Sequence, residues 1–203
     1  MHIPIIVGQL NDGLESKYPG TDVPALSRYV QVILGVELDR RLESQLPEWT
    51  CVQGDSGTSR ADKGIAIAPD LMTFKESEWK PTSGKGEALI VRADFQGSPL
   101  SFITAHRPVA KQQAARGIFD SSMVAMFKGE RRSGRVPIIG IDCNESVPST
   151  LIDPMNAQWV VPYPVSIVGF LVPQGVDVAG CVALQKTGEH PPVVSLMKVP
   201  VPQ

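Results

Sequence analysis

The sequence predicts an α/β sandwich built on mixed or antiparallel sheets, and three observations predict it. Eighteen prolines and eighteen glycines cut the 203 residues into short pieces, many of them β-branched apolar runs of strand length. Neighbouring runs are joined by hairpin-length turns rather than helical crossovers, as where Glu87–Phe95 turns through Gln96, Gly97, Ser98 and Pro99 into Leu100–Ala105. Helical periodicity is clear in only two segments, Asp39–Leu46 and Val109–Met126.

In chain order, strands are expected at Ile3–Val7, Val30–Leu38, Thr50–Gln53, Gly64–Pro69, Glu87–Phe95, Leu100–Ala105, Val136–Ile141, Ile167–Val172, Val178–Leu184 and Val193–Val199. Leu26, Tyr29, Val30, Ile33 and Leu42 also fit one long helix, and the β-branched content of Val30–Leu38 decides for a strand there. In the second helix Ala114, Ala115, Ile118, Met123 and Met126 recur at helical spacing, so that face should cover a sheet. No repeat, low-complexity tract or linker divides the chain, which is read as a single domain over residues 1–203. No G-x-G-x-x-G or Walker-type loop follows a strand, which argues against a dinucleotide or nucleotide-triphosphate fold.

With 42% apolar and 20% charged residues, the chain is long and apolar enough to bury a core. Its formal net charge of −2 excludes a generally basic nucleic-acid or membrane surface, so any polyanion site must be local. No run reaches the roughly 18 apolar residues of a membrane span, and residues 1–8 carry no charged leader before their apolar stretch; a cytoplasmic protein is expected. Cys51, Cys143 and Cys181 are odd in number and lack C-x-x-C spacing, which suggests neither a disulfide framework nor a zinc site. No G-x-S-x-G elbow occurs, and Cys143 lies among acids, so a serine or cysteine hydrolase is disfavoured.

Polar residues that can carry chemistry stand where apolar strands stop. The run from Val136 ends in Asp142, Cys143, Asn144 and Glu145. At a strand end, residues two apart share a side, so Asp142 can bind a hard cation or polarise a water while Asn144 bonds a phosphate oxygen. An Asx turn that merely closes the strand accounts for the same residues. Another strand ends in His106 and Arg107, and a third in Glu37; singly, these also fit a structural histidine and a surface acid. Asp177 follows Gly175, and Glu189-His190 precedes the last apolar run, where His190 can act as an acid or base if Asp177 fixes its tautomer; a plain polar turn is the alternative. Joint occurrence carries the case.

The order of these motifs resembles that of the endonuclease/exonuclease/phosphatase, or DNase-I-like, superfamily, over nearly the whole chain. That family runs through an early Asn, a Glu ending in "QE", a "TH" strand, a "GDFN" strand, a late Asp and a terminal "SDH". The corresponding stretches here are Gln9-Leu10-Asn11, Gly35-Val36-Glu37, Thr104-Ala105-His106, Gly140-Ile141-Asp142-Cys143-Asn144, Gly175-Val176-Asp177 and Gly188-Glu189-His190. The resemblance implies a four-layer α/β sandwich, two mixed and mostly antiparallel sheets packed face to face with flanking helices. It further implies a phosphoester hydrolase dependent on Mg²⁺ or Mn²⁺, first a nuclease cleaving phosphodiesters, second a small-molecule or lipid phosphodiesterase or phosphatase, and third a binding module that has lost turnover.

Carried over by residue, it implies that Glu37, Asn11 and Glu189 attend the metal, that Asp142 activates water, and that Asn144 and His106 contact the phosphate. His190, oriented by Asp177, would stabilise charge or move a proton. Asp12 beside Asn11 is an equally plausible ligand, and Asp62 lies near the place of an acid that pairs the "TH" histidine in some branches. Four departures stand out: Glu189 for aspartate, Cys143 for an aromatic, Val36 for glutamine and Arg107 for leucine. Phosphodiester cleavage needs an oriented water, neutralised phosphoryl oxygens and help for the leaving oxygen, and these residue types supply all three.

Basic residues concentrate at Arg107, Lys111, Arg116, Lys128, Arg131, Arg132 and Arg135, against only Asp120 and Glu130. A nucleic-acid partner would use this segment, and a small phosphoester would not need it; a solvated helix face explains it equally well. The short span from Asn144 to Asp177 leaves little room for insertions that read a duplex groove.

Overall fold

A computed structural model of the chain describes residues 1–11, 23–38, 41–54, 62–83, 86–145, 148–162, 167–184 and 191–201. Two six-stranded mixed sheets form it. In the first sheet β11 (Asp177–Ala183), β12 (Val193–Pro200), β1 (His2–Asn11), β2 (Val32–Leu38), β4 (Asp62–Ile67) and β3 (Thr50–Gly54) lie side by side in that order. The second sheet runs β5 (Thr73–Ser83), β6 (Gly86–Phe95), β7 (Ser98–His106), β8 (Val136–Asp142), β10 (Val168–Pro173), β9 (Ala157–Val160). Each sheet has one parallel pair, β1 with β2 and β7 with β8, among antiparallel neighbours.

Strand alternation makes the layers. Ile3, Ile5, Val7, Val32, Leu34, Ile65 and Ile67 face Leu89, Val91, Phe102, Ile138 and Phe170 in a core between the sheets. The intervening residues of the second sheet, Ile90, Ile103, Ile139 and Ile141, pack outward against α3 (Gln113–Arg132) and α4 (Ser149–Met155). Ile33, Leu38 and Ala66 do the same under α1 (Val23–Ser27) and α2 (Leu42–Gln45). Helix, sheet, sheet and helix give the four layers that the family resemblance implies.

All ten expected strands form, including β2 in the stretch that also fitted a helix. The hairpin before β7 closes through Gln96 and Gly97, both with positive φ (49° and 84°), while Phe95 pairs with Ser98. This is the mirror-type turn that matches strand twist, and its second position favours glycine. β5, β9, α1 and α4 were not expected. β5 is an edge strand rich in charge (Lys75, Glu76, Glu78, Lys80) and largely exposed, so no apolar alternation marks it. α3 lies later than Val109–Met126, and its buried face is Phe119, Met123, Met126 and Phe127, with Ile118 exposed. Among the described residues no helix is long and apolar enough to cross a membrane.

Because β1, β2, β7 and β8 all run the same way relative to the site, their C-terminal ends gather at one edge of the sandwich. A hydrogen bond between the sheets, Thr104 Oγ1 to the Gly35 carbonyl at 3.0 Å, fixes β7 against β2 just below that edge.

Candidate active site

Glu37, His106, Asp142 and Asn144 converge at this edge. Glu37 arrives there through a bulge: on β2 and β4, Gly35 pairs with Gly64 and Leu38 with Asp62, so one extra residue is inserted on β2. Its φ of 54° puts it in the left-handed region, and the bulge re-aims its side chain. Glu37 Oε1 lies 3.2 Å from His106 Nδ1. On the other side of the ring, Nε2 is 3.2 Å from Asn144 Nδ2 and 3.9 Å from Asp142 Oδ2. His106 and Asp142 are Cα partners across the parallel β7–β8 ladder, which is why their side chains meet.

Asn144 is not a strand residue. β8 ends at Asp142, whose Oδ1 accepts the Asn144 backbone N–H at 2.9 Å while Asn144 adopts φ 50°. The Asx turn is therefore real, and it delivers Asn144 to the site instead of competing with a functional role. The Asn144 amide also donates to the Arg107 carbonyl at 2.7 Å. A neutral His106 protonated on Nδ1 satisfies both neighbours, donating to Glu37 and accepting from Asn144.

Burial pushes the His106 pKa down, but the hydrogen bond to Glu37, its charge and that of Asp142 outweigh this, against opposition from Lys63, so the net shift is upward. Asp142 is almost fully buried, whereas Glu37 and His106 are about one-third open, at 33% and 29% of their side chains. The edge thus presents an acid–imidazole–acid row to solvent from one side.

Other expected residues are placed differently. Asp177 begins β11 opposite Lys198, which itself pairs with Pro4 on the far side, and its carboxylate is 3.4 Å from the Lys198 ammonium. Pro4 is seven residues before Asn11, roughly 20 Å along the strand, so Asp177 sits at the opposite end of the sandwich and does not orient a residue at this edge. The topology puts Val168 of β10, a buried apolar residue, across the ladder from Asp142. Asn11 ends β1 beside Val36. Glu189, His190 and Asp12 lie outside the described residues. The strand that follows His190, β12, starts with Val193 paired to Gln9, at the site end of β1.

Arg107 departs furthest from expectation. Instead of offering charge at a surface, it is buried, forks onto Asp120 (2.7 and 2.5 Å), bonds Thr150 (2.7 Å) and pairs with Glu145, which also holds Arg116. Lys128, Arg131 and Arg132 are exposed at the C-terminal end of the 20-residue α3, about 30 Å from the site end. The basic segment is therefore not one surface. Cys143 is buried, and burial pushes its thiol up, away from a nucleophilic thiolate.

Sequence reading missed Lys63 and did not weigh Gln9 itself. Lys63 is only 6% exposed and its charge acts on His106. Gln9 is fully buried, and neither of its side-chain polar atoms has a partner among the described residues. Its Oε1 lies 1.9 Å from where a Cβ on Gly140 would stand and Leu34 Cβ lies 2.8 Å from the same point, so a larger residue there would displace both Gln9 and β2. Both residues occupy inward-facing positions near the top of otherwise apolar strands, the signal by which they are legible.

Among the described residues no group of three or more His, Cys, Asp and Glu forms a ready metal cage. Magnesium does not need one, because it takes one or two carboxylates plus water and substrate phosphate. Glu37, one-third open at the edge, fits that donor chemistry.

No family model and no curated relative matches the chain. Its fold, however, is shared with solved structures of endonuclease/exonuclease/phosphatase proteins. It superposes on mannosyl-6-phosphatase from Bacteroides thetaiotaomicron with a TM-score of 0.78 at 12% identity, covering 95% of this chain and 99% of that one. For the human Nocturnin catalytic domain with bound sulfate the values are 0.76 and 10%, over 96% and 93%. For D. rerio TDP2 complexed with single-strand DNA product they are 0.73 and 16%, over 96% and 98%. At these identities the similarity establishes the fold.

Proposed function

We propose that this chain, having the endonuclease/exonuclease/phosphatase fold, is a phosphoester hydrolase that works with a divalent cation. The observation that carries the reading is the convergence of Glu37, His106, Asp142 and Asn144, drawn from both sheets, at one edge where a hard-anion substrate can enter. Glu37 would hold Mg²⁺ or Mn²⁺, with Asn11 and Glu189 as the further donors expected from sequence, and the ion would neutralise phosphoryl charge. Asp142 orients the attacking water and takes its proton. Water oxygen bonds to phosphorus as the ester oxygen leaves, and His106 or His190 in its imidazolium form gives a proton to that oxygen, the histidine regaining one from solvent as Asp142 releases the proton taken from water. Asn144 turns its amide N–H to a non-bridging oxygen.

A small phosphoester is the first substrate class, because Arg107 and Arg116 are spent in ion pairs and the exposed end of α3 is remote from the edge. Nuclease action on a single strand is the second reading, supported by the single-strand DNA held by the D. rerio TDP2 neighbour. A panel of an aryl phosphodiester, an aryl phosphomonoester and a single-stranded oligonucleotide, each with Mg²⁺, Mn²⁺ or EDTA, tests both. Metal-dependent turnover lost in Asp142→Asn establishes the hydrolase and ranks the substrates. Silence across the panel favours a binding module that has lost turnover, a reading that Val168 beside Asp142 and Glu189 in the terminal motif support.

A further inference from the structure

Lys63 is a buried polar residue of this edge with no role in the reading above. Ile65 and Ile67 of β4 point into the core between the sheets, so alternation puts Lys63 on the same inner face, one step nearer the edge. It stands opposite the β2 bulge, since its neighbours Asp62 and Gly64 pair with Leu38 and Gly35. Its charge reaches the His106 imidazole. Gln9 on β1 occupies the same inner face on the other side of β2, so an ammonium and an amide flank the strand that carries Glu37.

Burying an ammonium is costly, and lysine is rarely hidden without a purpose in charge balance. The balance here is informative. Glu37 and Asp142 bring two negative charges to a place where a phosphoryl group brings more, and without a divalent cation only fixed positive charge can hold the anion there. The Gln9 amide beneath them, without a hydrogen-bond partner among the described residues, keeps the floor polar where an apolar side chain would repel a phosphate.

We propose that Lys63 is the anion-holding residue of the site, its ammonium donating to a non-bridging oxygen of a bound phosphoryl group, so that the protein binds inorganic phosphate without any divalent cation. The proposal rests on the phosphoester reading of the edge and deepens it. Lys63 adds no covalent step; it holds substrate and product.

The test is titration of inorganic phosphate into the full chain in EDTA, followed by calorimetry and by thermal shift. The native protein should bind phosphate saturably. Lys63→Met should weaken binding by about 10- to 100-fold, the weight of one charge-assisted hydrogen bond. Lys63→Arg should retain most of it, and Lys198→Met, at the far end of the sandwich, should change nothing. Lys63→Gln serves as the parallel variant should the methionine form lose its native circular dichroism. Native-like phosphate affinity in a folded Lys63→Met or Lys63→Gln protein overturns the proposal, as does absence of metal-free binding by the native chain. The two readings fail separately. Metal-dependent turnover with unchanged kcat and KM in Lys63→Met sinks Lys63 and leaves the hydrolase, whereas Lys63-dependent phosphate binding with no ester turned over does the reverse.

Discussion

Two sets of buried charges in this molecule are held in opposite ways. On the outer face of the second sheet, Arg92 meets Glu130 through two nitrogens (2.9 and 2.5 Å), Glu76 at 2.9 Å and Glu78 at 3.0 Å, and Glu130 also accepts Ser101 Oγ at 2.6 Å. Burial raises the Glu130 pKa, but the Arg92 and Ser101 hydrogen bonds and the Arg92 charge bring it below its usual value. Arg107 is saturated in the same manner by Asp120, Glu145 and Thr150. At the sandwich edge, His106 meets Glu37 through one contact at 3.2 Å and Asp142 only at 3.9 Å. Planar guanidinium forks exhaust the carboxylates they bind, which suits a structural tie. An imidazole between two carboxylates leaves room for rearrangement, which suits a site.

The comparison breaks most visibly if activity and stability respond to the same residues. Asp142→Asn keeps an acceptor for the Asn144 N–H and should leave stability nearly native while turnover falls by about 10²- to 10⁴-fold, the contribution of a positioned acid–base group. A loss of stability as large as the loss of rate would move Asp142 into the structural class. Arg107→Met should do the converse. Removing one partner from a buried ion pair costs about 3–5 kcal/mol, read by urea unfolding, because Asp120 keeps its charge with 13% of its side chain exposed.

pH sharpens the contrast further. The native His106 pKa lies above its ordinary value of 6.5, so the stabilisation from His106⁺ beside Glu37 and Asp142 is fully present below pH 6.5 and disappears as pH rises through the native value. Stability measured in EDTA should decline over that interval, and Asn144 should exchange its acceptor once Nε2 becomes a donor at low pH. The decline should be absent in His106→Gln. Glu130 behaves oppositely: its depressed pKa contributes stability present above its ordinary value of 4.5 and lost as pH falls through the native one. The two regions therefore titrate at different ends of the scale.

Legibility from sequence follows the same division. Strand positions were readable because both sheets bury one face against the other and one against helices, leaving apolar runs; β5 was invisible because an edge strand is under no such demand. Glu37, His106 and Asp142 were readable as polar residues stopping apolar strands. Asn144 was readable too, though by the wrong geometry, since a left-handed turn and not the pleat brings it in. Arg107 was misread because sequence does not reveal that Asp120, 13 positions away, and Glu145, 38 away, close around it. Lys63 escaped attention because the expected strand began one residue after it, at Gly64, so the inward alternation with Ile65 and Ile67 was not carried back to it.

Gln9→Leu is a smaller probe. Replacing an amide whose buried polar atoms lack partners among the described residues by an apolar side chain of similar size should raise stability by about 1 kcal/mol if packing is retained, while weakening phosphate retention at the edge. A fall in stability would show that the amide is satisfied in solution.

The smallest expected effect is at Asp177, and it separates motif order from geometry most cleanly. By its place in the chain Asp177 looks like the acid that orients His190, and a variant lacking it would then lose turnover by orders of magnitude. By its place in the fold it is a 60% exposed acid at the start of β11, paired loosely with Lys198 at the remote end of the first sheet. An exposed pair of that kind is worth about 0–1 kcal/mol. Asp177→Ala should therefore leave kcat/KM unchanged and shift stability by no more than about 0.5 kcal/mol, measured beside Asp142→Asn in the same assay. A large loss of rate would mean that the chain reaches across the sandwich in a way its strand register forbids, and the assignment of the edge as the working site would fall with it.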